Sequence, residues 1–317
     1  MPEPGQIDEC EFGPYRLIRR VGEGAMGEVL QAVDPKTGSE IAIKRPWTKL
    51  EADPKAIRRF EREAKAASSV NHPNICRVLD FGRIDNRHYI AMELIDGMDL
   101  ARWVQEQPQL DPVRAANLVR KVALGLQAIH ATGVVHRDLK PANIMIKPNE
   151  EPVVTDFGMA NLMDTAIGVS RLTPAGAMVG TPAYMSPEQI LAEHEKYCPA
   201  SDLYSLGIIF YELLCGWPPF SGSLATILGT IVSEPPPEIQ VHVPELDANL
   251  NRLVQKALNK EPEDRYQSGQ EFANAIDDWL TNAGPISAPA PEPSAGTEPS
   301  TEPVSRKLSR MLKSLFK

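Results

Sequence analysis

Short apolar runs, separated by polar and glycine-containing turns, fill the first third of the chain. Runs of this length are typical of β-strands. They predict strands at residues 15–21, 29–33, 40–44 and 89–94. A helix is predicted before the last of these, opening at Asp53-Pro54, where an aspartate cap precedes a proline in the first turn. Its apolar face consists of Ile57, Phe60, Ala64 and Ala67.

Apolar residues at helical spacing dominate the second half of the chain. Residues 111–132 predict an amphipathic helix, and residues 203–214 predict a buried helix because they are apolar on nearly all sides. We expect Ser201-Asp202 to cap this buried helix. The core face of a last helix is predicted to consist of Phe272, Ile276, Trp279 and Leu280. The fold should close near the last of these residues.

Residues 133–158 interrupt the helical pattern with a short hairpin that carries many polar residues. Its two apolar runs flank a turn signal at residues 147–150. A hairpin brings its two ends together, so Asp138, Asn143 and Asp156 should meet in space. Asparagine and aspartate oxygens suit Mg²⁺ that is bound to phosphates. A further carboxylate nearby could orient a hydroxyl nucleophile.

The glycine-rich segment G-E-G-A-M-G-E-V at residues 22–29 joins the first two predicted strands. In dinucleotide-binding folds glycines at this spacing lead into a helix, whereas here they lead into another strand. The segment alone leaves two interpretations open, a loop that covers phosphates and a flexible hairpin tip. In the next strand, alternation places Ala42 and Lys44 on one face.

Composition and charge narrow the class of protein. The chain has 317 residues, of which 42% are hydrophobic, and a net charge of −9, which argues against nonspecific binding to nucleic acid. Its four cysteines are far apart, which indicates reduced thiols and argues against a structural zinc site. The acidic N-terminus does not resemble a signal peptide, and no apolar run approaches the ~18 residues of a membrane span. We therefore expect a cytoplasmic protein.

Several motifs in the chain resemble those of the protein kinase family. They are H-R-D-L-K-P-A-N at residues 136–143, D-F-G at 156–158, I-A-I-K at 41–44 and the glycine segment. The sequence G-T-P-A-Y-M-S-P-E at residues 180–188 has S-P-E where the family usually has A-P-E. Lys140, two residues after Asp138, and the downstream G-T-P-A-Y resemble the serine/threonine class. The segments G-E-G-A-M-G-E-V and M-S-P-E-Q resemble its bacterial, eukaryotic-like group. The family pattern also implies that Glu188 pairs with Arg265 and that Asp202 braces the catalytic loop, although an ordinary helix cap remains an equal alternative for Asp202.

The resemblance implies an α+β, two-lobed protein kinase fold. A small antiparallel β-sheet with one helix would form an N-lobe at residues 15–94, and a mainly helical C-lobe would follow at 95–281. Residues 1–14 would be a lead-in to this kinase domain. ATP and Mg²⁺ would be the cofactors, with Mn²⁺ as an alternative ion.

The resemblance also implies roles for individual residues. Asp138 would orient the substrate hydroxyl and accept its proton, and Lys140 would hold the γ-phosphate. Asn143 and Asp156 would bind the metal ion. Lys44 would grip the α- and β-phosphates, held by Glu63, which the family pattern selects where periodicity alone cannot choose between Glu61 and Glu63. The expected ATP-binding residues are Val21, Gly22, Glu23, Gly24, Ala25, Met26, Gly27, Val29, Ala42, Lys44, Met92, Glu93, Ile95 and Met145.

The function implied is transfer of the γ-phosphoryl group of ATP to serine or threonine hydroxyls of substrate proteins. The first alternative is a pseudokinase that serves as a nucleotide-binding scaffold, and the second is a small-molecule kinase. In kinases of this type the arginine before the catalytic aspartate, here Arg137, often holds a phosphorylated loop residue. Thr173 is the first candidate for that phosphorylation site and Ser170 the second.

The C-terminal part of the chain is predicted to be separate from the kinase domain. Residues 282–304 are rich in proline, alanine, serine, threonine and glutamate and should be a disordered linker. Residues 305–317 contain five basic and no acidic residues, with the apolar ones on one helical face. Three interpretations stay open for them, namely peripheral contact with an anionic inner membrane surface, docking to a partner protein, and a solvated terminus.

Overall fold

The computed structural model describes residues 10–24, 27–51, 53–107, 110–156 and 182–282. Several predictions lie outside these residues. They concern Ala25 and Met26 of the glycine segment, Ser170 and Thr173, and the linker and tail from residue 283 onward.

The N-lobe is a six-stranded antiparallel sheet with the order β1-β2-β3-β4-β6-β5. The strands are β1 (Cys10–Phe12), β2 (Tyr15–Gly24), β3 (Gly27–Val33), β4 (Glu40–Pro46), β5 (Val78–Ile84) and β6 (Arg87–Glu93). All four strands expected from the sequence are present, and each extends two or three residues beyond one predicted end. Alternate residues bury one face of this sheet around Leu17, Leu30 and Ile43.

Two helices accompany the sheet, α1 (Thr48–Glu51) and α2 (Pro54–Ala67). The longer helix begins at Pro54, as the Asp53-Pro54 signal predicts, and Phe60 and Ala64 pack on Ile90 of β6. Burial of two apolar residues on one face fixes which side of α2 meets the sheet.

The C-lobe is mainly helical. Its helices are α3 (Leu100–Gln105), α4 (Pro112–His130), α5 (Pro187–Ile190), α6 (Pro199–Cys215), α7 (Leu224–Ser233), α8 (Ala248–Ala257) and α9 (Gly269–Asn282). Asp111 caps α4 by accepting hydrogen bonds from the N–H groups of Val113 and Arg114, at 2.9 and 3.1 Å. None of the helices in the described ranges is both long and apolar enough to cross a membrane.

Two details of the helical predictions need correction. The buried helix α6 begins at Pro199 with Cys198 at its N-cap, so Ser201 and Asp202 lie inside its first turn and do not cap it. The fixed φ of proline suits the first helical position, which explains the earlier start. Leu280, expected in the core of the last helix, is only partly buried, whereas its neighbour Trp279 is buried.

The predicted hairpin is present beneath the N-lobe as part of a three-stranded sheet, β7-β8-β9. The strands are β7 (Met98–Asp99), β8 (Ile144–Ile146) and β9 (Pro152–Val154). Strands β8 and β9 are antiparallel, with Ile144 opposite Val154. The hairpin therefore returns the chain to the same end of the sheet, where the polar residues lie.

Candidate active site

Asp138, Lys140 and Asn143 form one hydrogen-bonded group in the loop that precedes β8. Lys140 Nζ lies 2.8 Å from Asp138 Oδ2. Asn143 Nδ2 donates to the same carboxylate oxygen at 3.1 Å and to the carbonyl oxygen of Asp138 at 2.7 Å. The Asp138 side chain remains 37% exposed, so one face of the carboxylate is open to a substrate.

Asp156 lies at the same end of the hairpin as Asn143. The N–H of Thr155 donates to the carbonyl oxygen of Asn143 at 2.9 Å, which sets the spacing of the two chain ends. Asp156 has φ of 59°, a left-handed conformation that is uncommon for aspartate and needs support from its surroundings. The sequence prediction that Asp138, Asn143 and Asp156 meet in space therefore agrees with the fold.

Lys44 connects the two lobes through Asp156. Its Nζ lies 2.7 Å from Asp156 Oδ1, and the lysine side chain is only 9% exposed. Burial raises the pKa of the Asp156 carboxyl, but the adjacent Lys44 ammonium, together with His136 and Lys140, holds the pKa below its ordinary value. The carboxylate is thus ionised at neutral pH and suited to a cation.

The predicted partner of Lys44, Glu63, lies on α2, but its side chain is outside the described part of the structure. The other candidate, Glu61, is exposed and lies 3.5 Å from His88 Nε2 on β6. The pairing of Lys44 with Glu63 therefore stays a prediction.

The oxygen atoms of Asn143 and Asp156 fit a magnesium ion bound to phosphates. Both hydrogen bonds of the Asn143 amide use its nitrogen, which leaves its oxygen to face a cation. Mg²⁺ usually takes one or two protein oxygens and completes its shell with water and substrate phosphates. In the described ranges no group of three or more His, Cys, Asp or Glu could hold a metal ion, so a site made by the protein alone is not seen there.

Asp202 holds the backbone of the loop that contains Asp138. Its carboxylate accepts hydrogen bonds from the N–H groups of His136 and Arg137, at 2.7 and 2.8 Å, and His130 Nε2 lies 2.7 Å from Oδ2. Burial raises the pKa of Asp202, but these hydrogen bonds and the nearby histidines hold it below its ordinary value. Of the two roles that the sequence left open for Asp202, the bracing role agrees with the structure. Arg137 has φ of 63°, and the bond at its N–H supports that conformation.

His136 and Gln189 also hold the loop, and sequence reasoning gave neither a role. The His136 ring is fully buried; Nδ1 accepts the N–H of Asp138 at 3.3 Å and Nε2 lies 3.0 Å from the carbonyl oxygen of Thr155. Gln189 Nε2 donates to the carbonyl oxygen of Arg137 at 2.7 Å. No periodicity or spacing marks such backbone contacts, since they depend on where distant segments meet.

The three glycines of the glycine segment differ in the space that the protein leaves for a side chain. A Cβ at Gly27 would lie 2.0 Å from the carbonyl oxygen of Arg45 on β4, whereas a Cβ at Gly24 would meet no atom of the described residues within 4 Å. At Gly22 only ordinary contact with Val29 would result. Packing within the protein therefore requires glycine at Gly27 but not at Gly22 or Gly24, where a ligand that approaches the backbone would supply the reason.

The other predicted nucleotide-binding residues lie on or near several strands of the two sheets, and their role stays a prediction. Ala42 and Met92 are opposite each other on β4 and β6, and Ala42 is buried. The N–H of Glu93 donates to the carbonyl oxygen of Arg77 at 2.9 Å, and its own carbonyl oxygen accepts a contact from Cys76 Sγ at 3.6 Å. The half-buried residues of the set are Val29, Met92, Glu93, Ile95 and Met145, while Val21 and Glu23 are exposed.

Glu188 and Arg265 form the expected pair, which is buried and bidentate. Arg265 Nη1 and Nη2 donate to the two Glu188 carboxylate oxygens at 2.9 and 2.8 Å. Ser186 stands at the N-cap of α5, where its N–H donates to Gln189 Oε1 at 3.0 Å. The Ser186 hydroxyl also donates to Gln189 Oε1 at 3.2 Å, a hydrogen bond that the alanine of A-P-E could not make.

Comparison with known proteins agrees with this geometry. The sequence profile of the protein kinase domain family matches residues 15–276. Serine/threonine-protein kinase PknA of Mycobacterium tuberculosis (strain ATCC 25618 / H37Rv) is 38% identical over 270 residues, which cover 83% of this chain and 61% of PknA. Serine/threonine-protein kinase PknE of Mycobacterium bovis (strain ATCC BAA-935 / AF2122/97) is 36% identical over 273 residues, which cover 86% of this chain and 47% of PknE.

Among solved structures, the crystal structure of the Mycobacterium tuberculosis PknI kinase domain is similar, with a TM-score of 0.67 and 29% identity over 86% of this chain and 98% of that domain. The chain matches 61% or less of the length of PknA and PknE, so similarity to them extends to part of each relative only. The family profile covers most of the chain and includes every motif discussed above. The chain belongs to the protein kinase family.

Proposed function

We propose that the protein is a serine/threonine protein kinase, which transfers the γ-phosphoryl group of ATP to hydroxyls of substrate proteins. The observation that carries the proposal is the group formed by Asp138, Lys140 and Asn143 beside the ion pair of Lys44 and Asp156. Phosphoryl transfer needs positioning and neutralisation of charge more than covalent help. This cluster provides both with fixed side chains.

Asp138 is the residue that orients the substrate hydroxyl and accepts its proton. Its partly exposed carboxylate is held by Asn143 and Lys140, which fix its direction. Lys140 is the charge that can meet the γ-phosphate as the new bond forms. Lys44 holds the α- and β-phosphates, and Asn143 and Asp156 hold Mg²⁺, which when bound neutralises phosphate charge.

A pseudokinase scaffold is the alternative from another class. Pseudokinases usually lack one of the residues that handle ATP, the metal ion or the hydroxyl, and all of them are present in this sequence. A small-molecule kinase is disfavoured by the long segment between Asp156 and Glu188, which contains the expected phosphorylation sites. Both alternatives predict no phosphorylation of protein.

The substitution Asp138→Asn tests the proposed function. It removes the proton acceptor but keeps the shape of the side chain, so ATP binding should persist while phosphorylation of protein falls about 10²- to 10⁴-fold. Binding can be measured by calorimetry and transfer by radioactive ATP with a generic protein substrate. Asp278→Asn, at an exposed position on α9, is the matched control and should keep full activity. Wild-type rates in Asp138→Asn would contradict the assignment.

We propose further that the enzyme phosphorylates itself at Thr173, with Ser170 as the second candidate, and gains activity. Arg137 is the residue expected to receive the phosphate, and its guanidinium carbon lies 5.2 Å from the centre of the Tyr197 ring, beside the catalytic loop. Thr173→Ala should lower activity, and mass spectrometry of wild-type protein should find phosphate at this threonine. Full activity of Thr173→Ala, with no phosphate at Ser170 either, would exclude this regulation.

The substrates and partners of the whole protein are not defined by the active site. We propose that they are proteins, that the kinase acts in the cytoplasm, and that residues 305–317 attach it to an anionic inner membrane surface. A docking partner is the alternative for this segment. The basic, amphipathic pattern of the segment supports both.

A further inference from the structure

The side chain of Gln189 joins two segments that lie far apart in the sequence. Gln189 is on α5, and its Nε2 donates at 2.7 Å to the carbonyl oxygen of Arg137, in the loop that contains Asp138. The two bonded residues are 52 positions apart. None of the roles proposed above uses this hydrogen bond, although it reaches the residue directly before Asp138.

The other end of the Gln189 amide is held as well. Its Oε1 accepts the N–H of Ser186 at 3.0 Å and the Ser186 hydroxyl at 3.2 Å. Ser186 is fully buried at the start of α5. An amide oxygen can only accept and an amide nitrogen can only donate, so two donors on the oxygen keep the nitrogen directed at Arg137. Gln189 is therefore a fixed link between α5 and the loop.

The backbone at Arg137 has a conformation that needs such support. Its φ of 63° lies in the left-handed region, which residues other than glycine adopt only where their surroundings hold them. Asp202 Oδ1 accepts the N–H of Arg137 at 2.8 Å, and Gln189 donates to the carbonyl oxygen. Both backbone polar groups of this residue are thus fixed by side chains from α5 and α6.

The carbonyl of Arg137 belongs to the same peptide unit as the N–H of Asp138. A trans peptide unit is planar, and its C=O and N–H point in opposite directions. The N–H of Asp138 donates to His136 Nδ1 at 3.3 Å, which is longer than the 2.7 Å hydrogen bond on the carbonyl side. The Gln189 hydrogen bond is therefore the shorter of the two that set the plane of this peptide, and the Cα of Asp138 is attached to that plane.

We propose that Gln189 is a positioning residue for phosphoryl transfer, which holds the Arg137–Asp138 peptide so that the Asp138 carboxylate faces the substrate hydroxyl. The inference rests on the proposed function, because it requires Asp138 to act on that hydroxyl. It assigns Gln189 an effect on the transfer step and none on ATP binding. The reason is that its side-chain hydrogen bonds within the described ranges reach Ser186 and Arg137, neither of which is assigned to the nucleotide.

Gln189→Glu and Gln189→Met test the proposal. Glutamate keeps an oxygen that accepts from Ser186, but its ionised carboxylate cannot donate to the Arg137 carbonyl, and methionine can do neither. Turnover (kcat) is measured with radioactive ATP and a generic protein substrate, both at saturation. We expect kcat to fall about 10- to 100-fold in each variant, because a small displacement of Asp138 misaligns the reacting groups. Calorimetry should find the affinity for ATP with Mg²⁺ unchanged.

Gln255→Glu is the matched control, because Gln255 on α8 donates through Nε2 to the carbonyl oxygen of Pro237 at 3.0 Å. This variant loses a similar hydrogen bond outside the candidate active site and should keep wild-type turnover. The thermal midpoint of Gln189→Glu should match that of this control, which separates a positioning role from a general loss of stability.

Three results would overturn the inference while the proposed function stands. They are wild-type turnover in both Gln189 variants, an equal loss of turnover and of ATP affinity, and a thermal midpoint of Gln189→Glu far below that of the control. A wild-type protein that transfers no phosphoryl group to protein would overturn the proposed function and this inference with it.

Discussion

Arg265 shows at the scale of one residue how a buried charge is stabilised. Its side chain is completely buried, with both terminal nitrogens on the Glu188 carboxylate and Nε on the carbonyl oxygen of Asn259 at 2.7 Å. Removing one member of a buried pair leaves the other charge uncompensated, which costs about 3–5 kcal/mol. The pair therefore fixes the start of α5 against the body of the C-lobe.

We predict that Glu188→Gln lowers the free energy of unfolding at pH 7 by about 3 kcal/mol or more, because the buried Arg265 charge then lacks its carboxylate partner.

The stability that this pair contributes should depend on pH. Burial raises the pKa of Glu188, but the hydrogen bonds and charge of Arg265, with further hydrogen bonds, hold the pKa below its ordinary 4.5. A carboxyl with a lowered pKa in the folded state stabilises above its unfolded pKa, and that stability is lost as pH falls through the folded value. The variant should therefore lose less stability than the wild type below about pH 4.5.

Urea unfolding at several pH values provides the measurement. Glu193→Gln is the matched control, because Glu193 pairs with Lys196 at 3.0 Å where both side chains are at least one third exposed. Exposed pairs contribute little, so this variant should unfold close to the wild-type midpoint. Equal midpoints for Glu188→Gln and wild type would show that the buried pair has no net effect.

For some single residues, the sequence alone could not decide between two roles or two candidates. Asp202 could be a helix cap or a brace, because an aspartate near a helix start suits both roles. The choice depends on where His136 and Arg137 lie, more than sixty residues earlier in the chain. For the same reason, helical spacing could not choose between Glu61 and Glu63, which both lie at the edges of one apolar face.

Helices and strands were easier to predict than the contacts of single residues, because the sequence patterns that indicate helices and strands are local. The β8–β9 hairpin follows from two apolar runs around a turn, and α2 begins at its proline. The start of α6 was predicted too late because Cys198 is not a residue expected at an N-cap. The hydrogen bond from Gln189 to Arg137 had no local signal, as it joins residues 52 positions apart.

In the hairpin of β2 and β3, we predict that two alanine substitutions have different effects on stability and on ATP binding. In Gly27→Ala the Cβ would overlap the Arg45 carbonyl, so the strands must separate, at a cost of about 1–3 kcal/mol. At Gly24 no atom of the described residues lies within 4 Å of an added Cβ, so Gly24→Ala should leave the unfolding free energy unchanged while it weakens ATP binding. Denaturant unfolding with nucleotide titration measures both effects. The same loss of stability in both variants would show that packing on β4 does not distinguish the two glycines.

At the scale of the whole molecule, the order of motifs was sufficient to predict the two-lobed fold. Each motif occupies a fixed place in that fold, so a correct order along residues 15–276 constrains the topology more strongly than any single strand or helix. Composition alone predicted the linker and tail, and no fold motif constrains what those segments contact.

We predict that the basic tail at residues 305–317 binds an anionic membrane surface. Thirteen residues are too few for a stable isolated helix, so its amphipathic pattern should fold on a surface. Five basic residues at ~1 kcal/mol each near anionic lipids, with the apolar face added and folding entropy subtracted, give modest and reversible binding. The 317-residue chain should co-sediment with anionic vesicles at low salt and detach as salt rises, whereas a chain shortened to end at Gly284 should stay in solution. Neutral vesicles are the control, and equal partitioning of the two chains onto anionic vesicles would exclude the membrane interpretation.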